Sequence, residues 1–178
     1  MVAPDTIKPL RYAQIDHQET ERLKAALADL RAKRSPMYLT LSELDPILDW
    51  KLGTQRNRSR RWWRLKTDDL IRDVTSLALN LRHPDAEYQL ELRTGILTAV
   101  RGIGVSVASA ILALVYPEEY AVIDYRVWRQ LFGEEKTVFF IPDYRRYMKA
   151  LFPLARELGW PVQEVDHAIW EYDRRLNK

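Results

Sequence analysis

The feature that most limits the fold of this chain is the spacing of its apolar residues. Leucine, isoleucine and valine recur every three or four positions through most of the sequence, while the strict alternation of half-buried strands is nearly absent. This periodicity predicts an all-α fold, a compact bundle of about eight helices with short connections. The helices are expected at about 16–33, 42–51, 67–81, 85–100, 105–115, 125–132, 143–158 and 161–175.

The composition permits one buried core and excludes several kinds of site. Of the 178 residues, 47% are hydrophobic and 30% are charged, which is enough apolar surface for one domain. We expect a single helical domain over 1–178, with its core at about 40–178 and the helix 16–33 packed on that core. Because the chain has no cysteine, it has no disulfide, no cysteine-ligated zinc, no iron–sulfur cluster and no cysteine nucleophile.

The sequence contains no pattern typical of export or of a membrane span. Its longest apolar run, 107–116 with Ser109 inside it, is ten residues long, about half the length that a membrane-spanning helix needs. The first residues lack a basic segment followed by an apolar one, so we predict no signal peptide. We therefore expect a cytoplasmic protein without a membrane partner.

Two glycines stand between two predicted helices and form a helix-hairpin-helix pattern at about 90–116. Gly102 and Gly104 flank Ile103, and a helix rich in small residues follows. Glycines permit a tight turn with positive φ and let a phosphate approach the backbone, and the next helix begins with N–H groups that have no helical acceptor. Taken alone, the pattern also fits an ordinary corner between two helices.

An aspartate follows this hairpin at a distance that capping does not explain. Asp124 comes twenty residues after Gly104, between the apolar residues 121–123 and the next predicted helix. A carboxylate at that place accepts backbone N–H bonds as an N-cap, and the helix dipole favours its charged form. Capping accounts for the residue type, but not for its position relative to the hairpin.

Together, the hairpin and the aspartate resemble the helix-hairpin-helix (Gly-Pro-Asp) superfamily of DNA glycosylases over about 35 residues, 97–131. The resemblance implies that Asp124 stabilises the oxocarbenium-like transition state formed when the N-glycosidic bond of a flipped-out base is hydrolysed. Bifunctional members have a lysine nucleophile where this chain has Ser106, which implies a monofunctional enzyme without a Schiff base at that position. The chain departs from the family pattern at Arg101, where proline is usual, and at Ile123, where proline or valine is usual.

The resemblance also implies how the hairpin is used. It implies that the protein binds double-stranded DNA that contains a damaged or modified base. We therefore expect it to be associated with the nucleoid, and we expect it to be a monomer. The residues expected to contact the DNA backbone are Gly102, Ile103, Gly104 and Val105 in the hairpin, with Arg126 in a later helix. No cofactor is required, although a structural Na⁺ or K⁺ is expected on the backbone carbonyls of Thr98, Val100 and Ile103.

The positive charge of the chain is concentrated in one segment. Residues 51–66 hold seven basic side chains and no acidic one, so that the net charge of +3 leaves −4 for the rest of the chain. Arginine beside Trp62 and Trp63 can hold phosphates and stack on a base, although a solvated loop with inward-packed tryptophans is the alternative. We expect at least one of the two tryptophans to be buried. The arginines expected to bind phosphates are Arg56, Arg58, Arg60, Arg61 and Arg64.

Trp50 and Lys51 are the candidates for a base-specific pocket, because such a pocket needs a flat wall and a proton donor. The alternative is a core tryptophan beside a surface lysine. The three histidines, His17, His83 and His167, lie far apart in the sequence without metal-ligand spacing, so we predict no metal triad and expect surface or capping roles for them.

Two other functions are compatible with the same sequence. A non-catalytic helix-hairpin-helix module that binds DNA in a repair or defence assembly would keep the hairpin and the basic segment, and would need no chemistry at Asp124. An ordinary helical interaction protein would have no affinity for DNA. The position of the Asp124 carboxylate discriminates between the enzyme and the module, because a catalytic carboxylate must face a cleft near the hairpin.

Overall fold

The described part of the chain, residues 2–57, 62 and 64–177 of a computed structural model, consists of α-helices, two short 3₁₀ turns and loops, without a strand. The all-α prediction is therefore confirmed. Nine α-helices occur in these residues, one more than expected, because four residues at the start are too few to show a helical period. The helices are α1 (Pro4–Ile7), α2 (His17–Lys33), α3 (Leu41–Leu52), α4 (Asp68–Asn80), α5 (Ala86–Thr98), α6 (Val105–Val115), α7 (Tyr125–Phe132), α8 (Ile141–Leu158) and α9 (Val162–Leu176).

Helix α6 lies at the centre of the bundle. All of its residues except Ser106 are buried, and it packs against α2, α3, α5 and α8. A helix that is apolar on every side is stable only where neighbours cover it on every side. The small side chains of Ala108, Ser109 and Ala110 let those neighbours approach closely. The hairpin at the start of α6 is therefore attached to a helix that is buried on nearly every side.

Helix α9 connects the two ends of the described chain. It packs on α7 and α8, and also on α1 and the 3₁₀ turn Lys8–Leu10. Ile7 is fully buried in this contact, and the Arg11 guanidinium donates to the Glu164 carboxylate at 2.7 Å. Residues near both ends of the described chain thereby pack against each other.

The helix starts follow capping rules, with one correction. Ser42 was expected to begin α3, and this is wrong, because Thr40 is the N-cap. The Thr40 hydroxyl accepts from the Glu43 N–H at 3.3 Å, and the Glu43 carboxylate accepts from the Thr40 N–H at 2.8 Å. The reciprocal pair requires Glu three residues after the cap, which Thr40 has and Ser42 lacks. Thr67, the first residue of the expected range 67–81, caps α4, with its hydroxyl accepting from the Leu70 N–H.

Candidate functional site

Asp124 is the last residue of an extended segment, 121–124. Hydrogen bonds from side chains hold this segment in place, where a neighbouring strand would do so in a sheet. The Tyr144 hydroxyl donates to the Ala121 carbonyl at 2.8 Å, and the Tyr147 hydroxyl donates to the Val122 carbonyl at 3.1 Å. The Val122 N–H donates to the Asp166 carboxylate at 3.1 Å. Buried backbone groups must find partners, and where no ladder exists the side chains have to supply them. Helices α8 and α9 therefore fix the path of the backbone toward Asp124.

Helices α6 and α3 hold the next residue of the segment. The Ile123 N–H donates to the hydroxyl of Ser109, which lies one turn beyond the hairpin in α6, at 3.1 Å. The Ile123 carbonyl accepts from the Lys51 ammonium at 3.3 Å. The bond to Ser109 joins the hairpin helix to the residue just before Asp124, so the two sequence motifs belong to one structural unit.

The two carboxylate oxygens of Asp124 have different surroundings. Oδ1 accepts from the Arg126 N–H at 3.0 Å and caps α7. Oδ2 lies 3.3 Å from Nζ of Lys51, in an ion pair whose side chains are 22% and 12% exposed. The predicted N-cap is confirmed, but capping uses one oxygen, while the other pairs with Lys51, and both residues line a cavity.

The cavity beside Asp124 has a volume of about 150 Å³. An apolar cavity of about this volume accepts benzene, so the volume is that of a site for one small aromatic ring. Its walls come from the loop before α2, from the end of α3, from the segment before α7 and from α9. The lining side chains are Gln14, Asp16, Trp50, Lys51, Val122, Asp124, Asp166, His167 and Trp170.

Trp50 forms an immobilised flat wall of this cavity. Its indole N–H donates to the Thr20 hydroxyl at 3.1 Å, and the Gln14 amide donates to the same oxygen at 3.0 Å. The hydrogen bond fixes the plane of the half-buried ring, whose centroid lies 6.4 Å from that of His167. An aromatic face held in this way can stack on a planar ligand.

Two ionisable side chains of α9 line the cavity, the buried Asp166 and the half-buried His167. Burial raises the pKa of Asp166 to about 7, although its bonds from Tyr147 and from the Val122 N–H act in the opposite direction. Burial also lowers the pKa of His167 to about 3, with the nearby positive charge of Lys24 as the next cause. His167 is therefore neutral at pH 7, and its Nε2 is buried without a hydrogen-bond partner. The surface or capping role expected for this histidine is wrong.

The turn of the hairpin depends on Gly102. Its φ is +89°, and a Cβ atom there would lie 3.0 Å from Cβ of Trp62 and 3.2 Å from Nζ of Lys66. The Lys66 ammonium donates to the Arg101 carbonyl at 3.0 Å, and the Arg101 guanidinium lies 3.8 Å from the centroid of the Trp62 ring. The end of the basic segment is therefore packed against the turn.

The second hairpin glycine has a different environment. Gly104 is the N-cap of α6 in an extended conformation, and a Cβ atom there would meet nothing within 4 Å. The N–H groups of Val105 and Ser106 follow it in the first turn, where a helix offers no acceptor. Ser106 is half-buried, and its carbonyl accepts from the Ser109 hydroxyl at 2.8 Å. This end of α6 is open to an approaching anion.

Two of the arginines expected to bind DNA are engaged with carboxylates of the chain itself. Arg56 forms ion pairs with Asp45 and Asp49, and Arg126 donates to Asp173 at 3.1 Å. Arg64 is exposed and Trp62 is half-buried. The remaining residues of this set, Arg58, Arg60, Arg61 and Trp63, lie outside the described residues.

The carbonyls predicted to hold a monovalent cation lie at the end of α5 and in the turn that follows it. The Val100 carbonyl accepts from the Ile103 N–H at 2.9 Å, while Thr98 bonds through its hydroxyl to the Gly95 carbonyl at 3.0 Å. Within the described ranges, histidine, aspartate and glutamate side chains form no cluster of three that could hold a metal ion. The monovalent cation site stays a prediction.

Sequence reasoning placed Trp50, Lys51 and Asp124 in functional roles, and all three line the same cavity. It did not find Gln14, Asp16, Asp166 and His167. The only available signal was the spacing of four between Asp166 and Trp170, which puts both side chains on one face of α9. Nothing in a single sequence indicates which helix that face contacts.

No helix in the part of the chain that the structure describes is both long and apolar enough to span a bilayer. No family model matches the chain, and no curated protein and no solved structure is significantly similar to it.

Proposed function

We propose that this chain is a DNA glycosylase that hydrolyses the N-glycosidic bond of a damaged or modified base. The observation that carries the proposal is the position of Asp124. One of its oxygens caps α7 and the other pairs with Lys51. Asp124 lines a cavity of about 150 Å³ with an aromatic wall, and it ends a segment bonded to the hairpin helix. A carboxylate that served only as a cap would not need the cavity.

The proposed chemistry uses the charge of this carboxylate. Breaking the N-glycosidic bond builds positive charge on the deoxyribose, and a fixed carboxylate beside C1′ stabilises that charge. The cavity takes the flipped base against Trp50, and Asp124 stands at its edge beside Lys51. Its hydrogen bonds hold Asp124 in this place before the substrate arrives, so little reorganisation is needed during the reaction.

The proposed binding partner is duplex DNA, held at the hairpin. Gly104 leaves room for a phosphate at the positive end of α6. Two exposed arginines lie nearby in the fold: Arg64 is in the basic segment, and Arg101 is in the turn that the end of this segment contacts. We also propose that the protein is a monomer in the cytoplasm and that it needs no organic cofactor.

The test is base excision by the Asp124→Asn variant. Duplexes that each contain one modified base are incubated with the protein and then analysed with and without hot alkali, which breaks the strand at abasic sites. We expect the wild-type protein to excise at least one base, and Asp124→Asn to lose this activity while keeping its DNA affinity. Asp85→Asn is the matched control, because Asp85 caps α5 through the Glu87 and Tyr88 N–H groups and does not line the cavity.

Equal excision by Asp124→Asn and the wild-type protein would remove Asp124 from the mechanism. DNA binding without excision of any base would favour the non-catalytic module, since that function requires the hairpin and the basic segment alone. Absence of DNA binding would contradict both and would favour a helical interaction protein.

A further inference from the structure

A second cavity is formed by α5, by α8 and by the loop that connects α6 to α7. Its volume is about 270 Å³, and none of the residues that line it also lines the cavity beside Asp124. We propose that this second cavity binds a neutral aromatic molecule of about two fused rings with one hydrogen-bond acceptor. The inference does not rest on the proposed function, because neither DNA nor a flipped base takes part in it.

Apolar side chains form much of the wall of the second cavity. Leu90 of α5, Tyr120 of the loop and Met148 of α8 line it and are each at most 4% exposed, while Phe152 of α8 is an exposed part of the wall. An apolar cavity of about 150 Å³ accepts benzene, so the larger volume here is that of a site for about two fused rings. Sites for small molecules typically combine such a wall with a few polar groups.

The charged side chains on the helical side of the second cavity neutralise one another. Glu87 of α5 pairs with Lys149 of α8 at 2.9 Å, and Glu91 of α5 pairs with Arg145 of α8 at 2.7 Å. A charged ligand would have to compete with these ion pairs for its partner. The helical side therefore favours a ligand without charge.

The loop side of the second cavity carries two carboxylates. Glu119 lies 3.8 Å from the guanidinium of Arg93, whose side chain is fully buried. Glu118 is exposed, and an ion pair at an exposed position contributes little binding energy. Because both carboxylates also repel anions, this side disfavours a negatively charged ligand and gives a cation little advantage.

Tyr120 supplies one hydrogen-bond donor that the fold does not use. The Gln89 amide oxygen accepts from the His83 N–H at 2.9 Å, so the amide nitrogen lies toward Tyr120 and donates to its hydroxyl oxygen at 3.2 Å. Among the described residues, the hydroxyl proton of Tyr120 has no acceptor. Burial raises the pKa of Tyr120 to about 12, so the proton is retained at neutral pH. An acceptor atom of a ligand would satisfy this buried donor.

The experiment titrates the full chain, without DNA, with quinoline as the probe. Quinoline has two fused rings, is uncharged at neutral pH and has one acceptor nitrogen. With methyl-labelled methionine, the NMR resonance of Met148 should shift to saturation, because an aromatic ring would bind beside it. Met37 is buried elsewhere in the core and does not line the cavity, so its resonance should stay in place. This readout requires no change in the cavity.

Indole is the matched ligand, because it also has two fused rings but offers an N–H donor in place of the acceptor nitrogen. We expect quinoline to bind about 2- to 10-fold more tightly than indole, the difference that one hydrogen bond makes. Tyr120→Phe should remove this preference. Tyr116→Phe is the control, because the Tyr116 hydroxyl donates to the Leu79 carbonyl at 2.9 Å and Tyr116 does not line the cavity. Melting temperatures establish that both variants are folded.

The inference would be overturned by the absence of a saturating Met148 shift, by equal affinities for quinoline and indole, or by unchanged quinoline affinity in a folded Tyr120→Phe protein. Base excision by a protein that does not bind quinoline would overturn it and leave the proposed glycosylase intact. Preferential binding of quinoline beside Met148 without excision of any base would support it and contradict the proposed glycosylase.

Discussion

At the scale of single residues, the main feature of the site is the burial of ionisable groups around one extended segment. Asp166 is 2% exposed and accepts from the Val122 N–H, while Tyr147 donates both to Asp166 and to the Val122 carbonyl. Burial raises the pKa of the Tyr147 hydroxyl well above its usual range, so Tyr147 stays a donor at any physiological pH. This pair acts on Asp124 by positioning the backbone two residues before it.

The raised pKa of Asp166 predicts a pH-dependent stability. Its carboxyl has a pKa of about 7 in the folded protein and 3.8 as an unperturbed group, so the folded state binds more protons between these values. The contribution of Asp166 to stability is therefore greatest below pH 4 and is lost as the pH rises to about 7, by at most ~1.4 kcal/mol per pH unit. The free energy of unfolding, measured in urea from pH 5 to pH 8, should rise for Asp166→Asn relative to the wild-type protein as the pH increases.

The comparison with the variant is needed because His167 has the opposite effect. Its pKa is lowered to about 3, so the unfolded state binds more protons between pH 3 and 6.5, and stability is lost as the pH falls through this range. His167 is present in both proteins and cancels in the difference. If the difference in the free energy of unfolding between the two proteins does not change from pH 5 to pH 8, Asp166 is already ionised in the folded protein over this range.

At the scale of elements, the hairpin and the end of the basic segment behave as one unit. Lys66 bonds the Arg101 carbonyl, and Trp62 lies between the Arg101 guanidinium and the space beside Gly102. Because Trp62 is in contact with Arg101, its ring supports the arginine of the turn. The two hairpin glycines have separate functions in this unit, since one shapes the turn and the other leaves its surface open.

Replacing each glycine with alanine tests these two functions separately. Gly102→Ala places a side chain at φ +89° and 3.0 Å from Cβ of Trp62, so we expect the free energy of unfolding to fall by ~1–3 kcal/mol. Gly104→Ala meets no atom within 4 Å and keeps an allowed φ, so stability should change by less than ~1 kcal/mol while DNA affinity falls. Urea denaturation and a duplex-binding titration measure the two effects. Unchanged DNA affinity in a stable Gly104→Ala protein would exclude close contact between the DNA and this glycine.

At the scale of the whole molecule, the distribution of charge determines which face the proposed DNA partner can approach. The segment 51–66 is purely basic although the rest of the chain is net negative, and the structure places the end of this segment against the hairpin. Arg56 and Arg126 neutralise carboxylates of the chain itself, whereas Arg64 and Arg101 are exposed. We expect the exposed arginines to provide the phosphate contacts.

Salt dependence of duplex binding tests this assignment. The slope of log K against log salt should be several units for the wild-type protein, at about 0.9 per neutralised phosphate, and Arg64→Gln or Arg101→Gln should each reduce it by about 1. Arg146→Gln is the matched control, because Arg146 is an exposed arginine of α8 that pairs with Glu134 at 3.0 Å. A slope near zero for the wild-type protein would contradict DNA binding altogether. If all three variants had the same salt slope as the wild-type protein, the DNA would have to bind to another face.

The sequence by itself determined the local structure of this protein and the two motifs of its site. The spacing of apolar residues predicted the helices, since a helix with one apolar face shows a period of 3.6 wherever it packs. Asp124 was identified as an N-cap because capping depends on neighbours two or three residues away. Even the error at α3 was local, because Glu43, three residues after Thr40, marks the correct cap.

Only the tertiary structure decided which side chains surround Asp124. Lys51 stands 73 residues before it and Asp166 stands 42 residues after it, and they meet because α3 and α9 both pack around the segment 121–124. Helical periodicity specifies which face of a helix is buried, but not which helix covers that face. The raised pKa of Asp166 and the lowered pKa of His167 likewise arise from burial among distant elements, and burial by distant elements is a property of the assembled bundle.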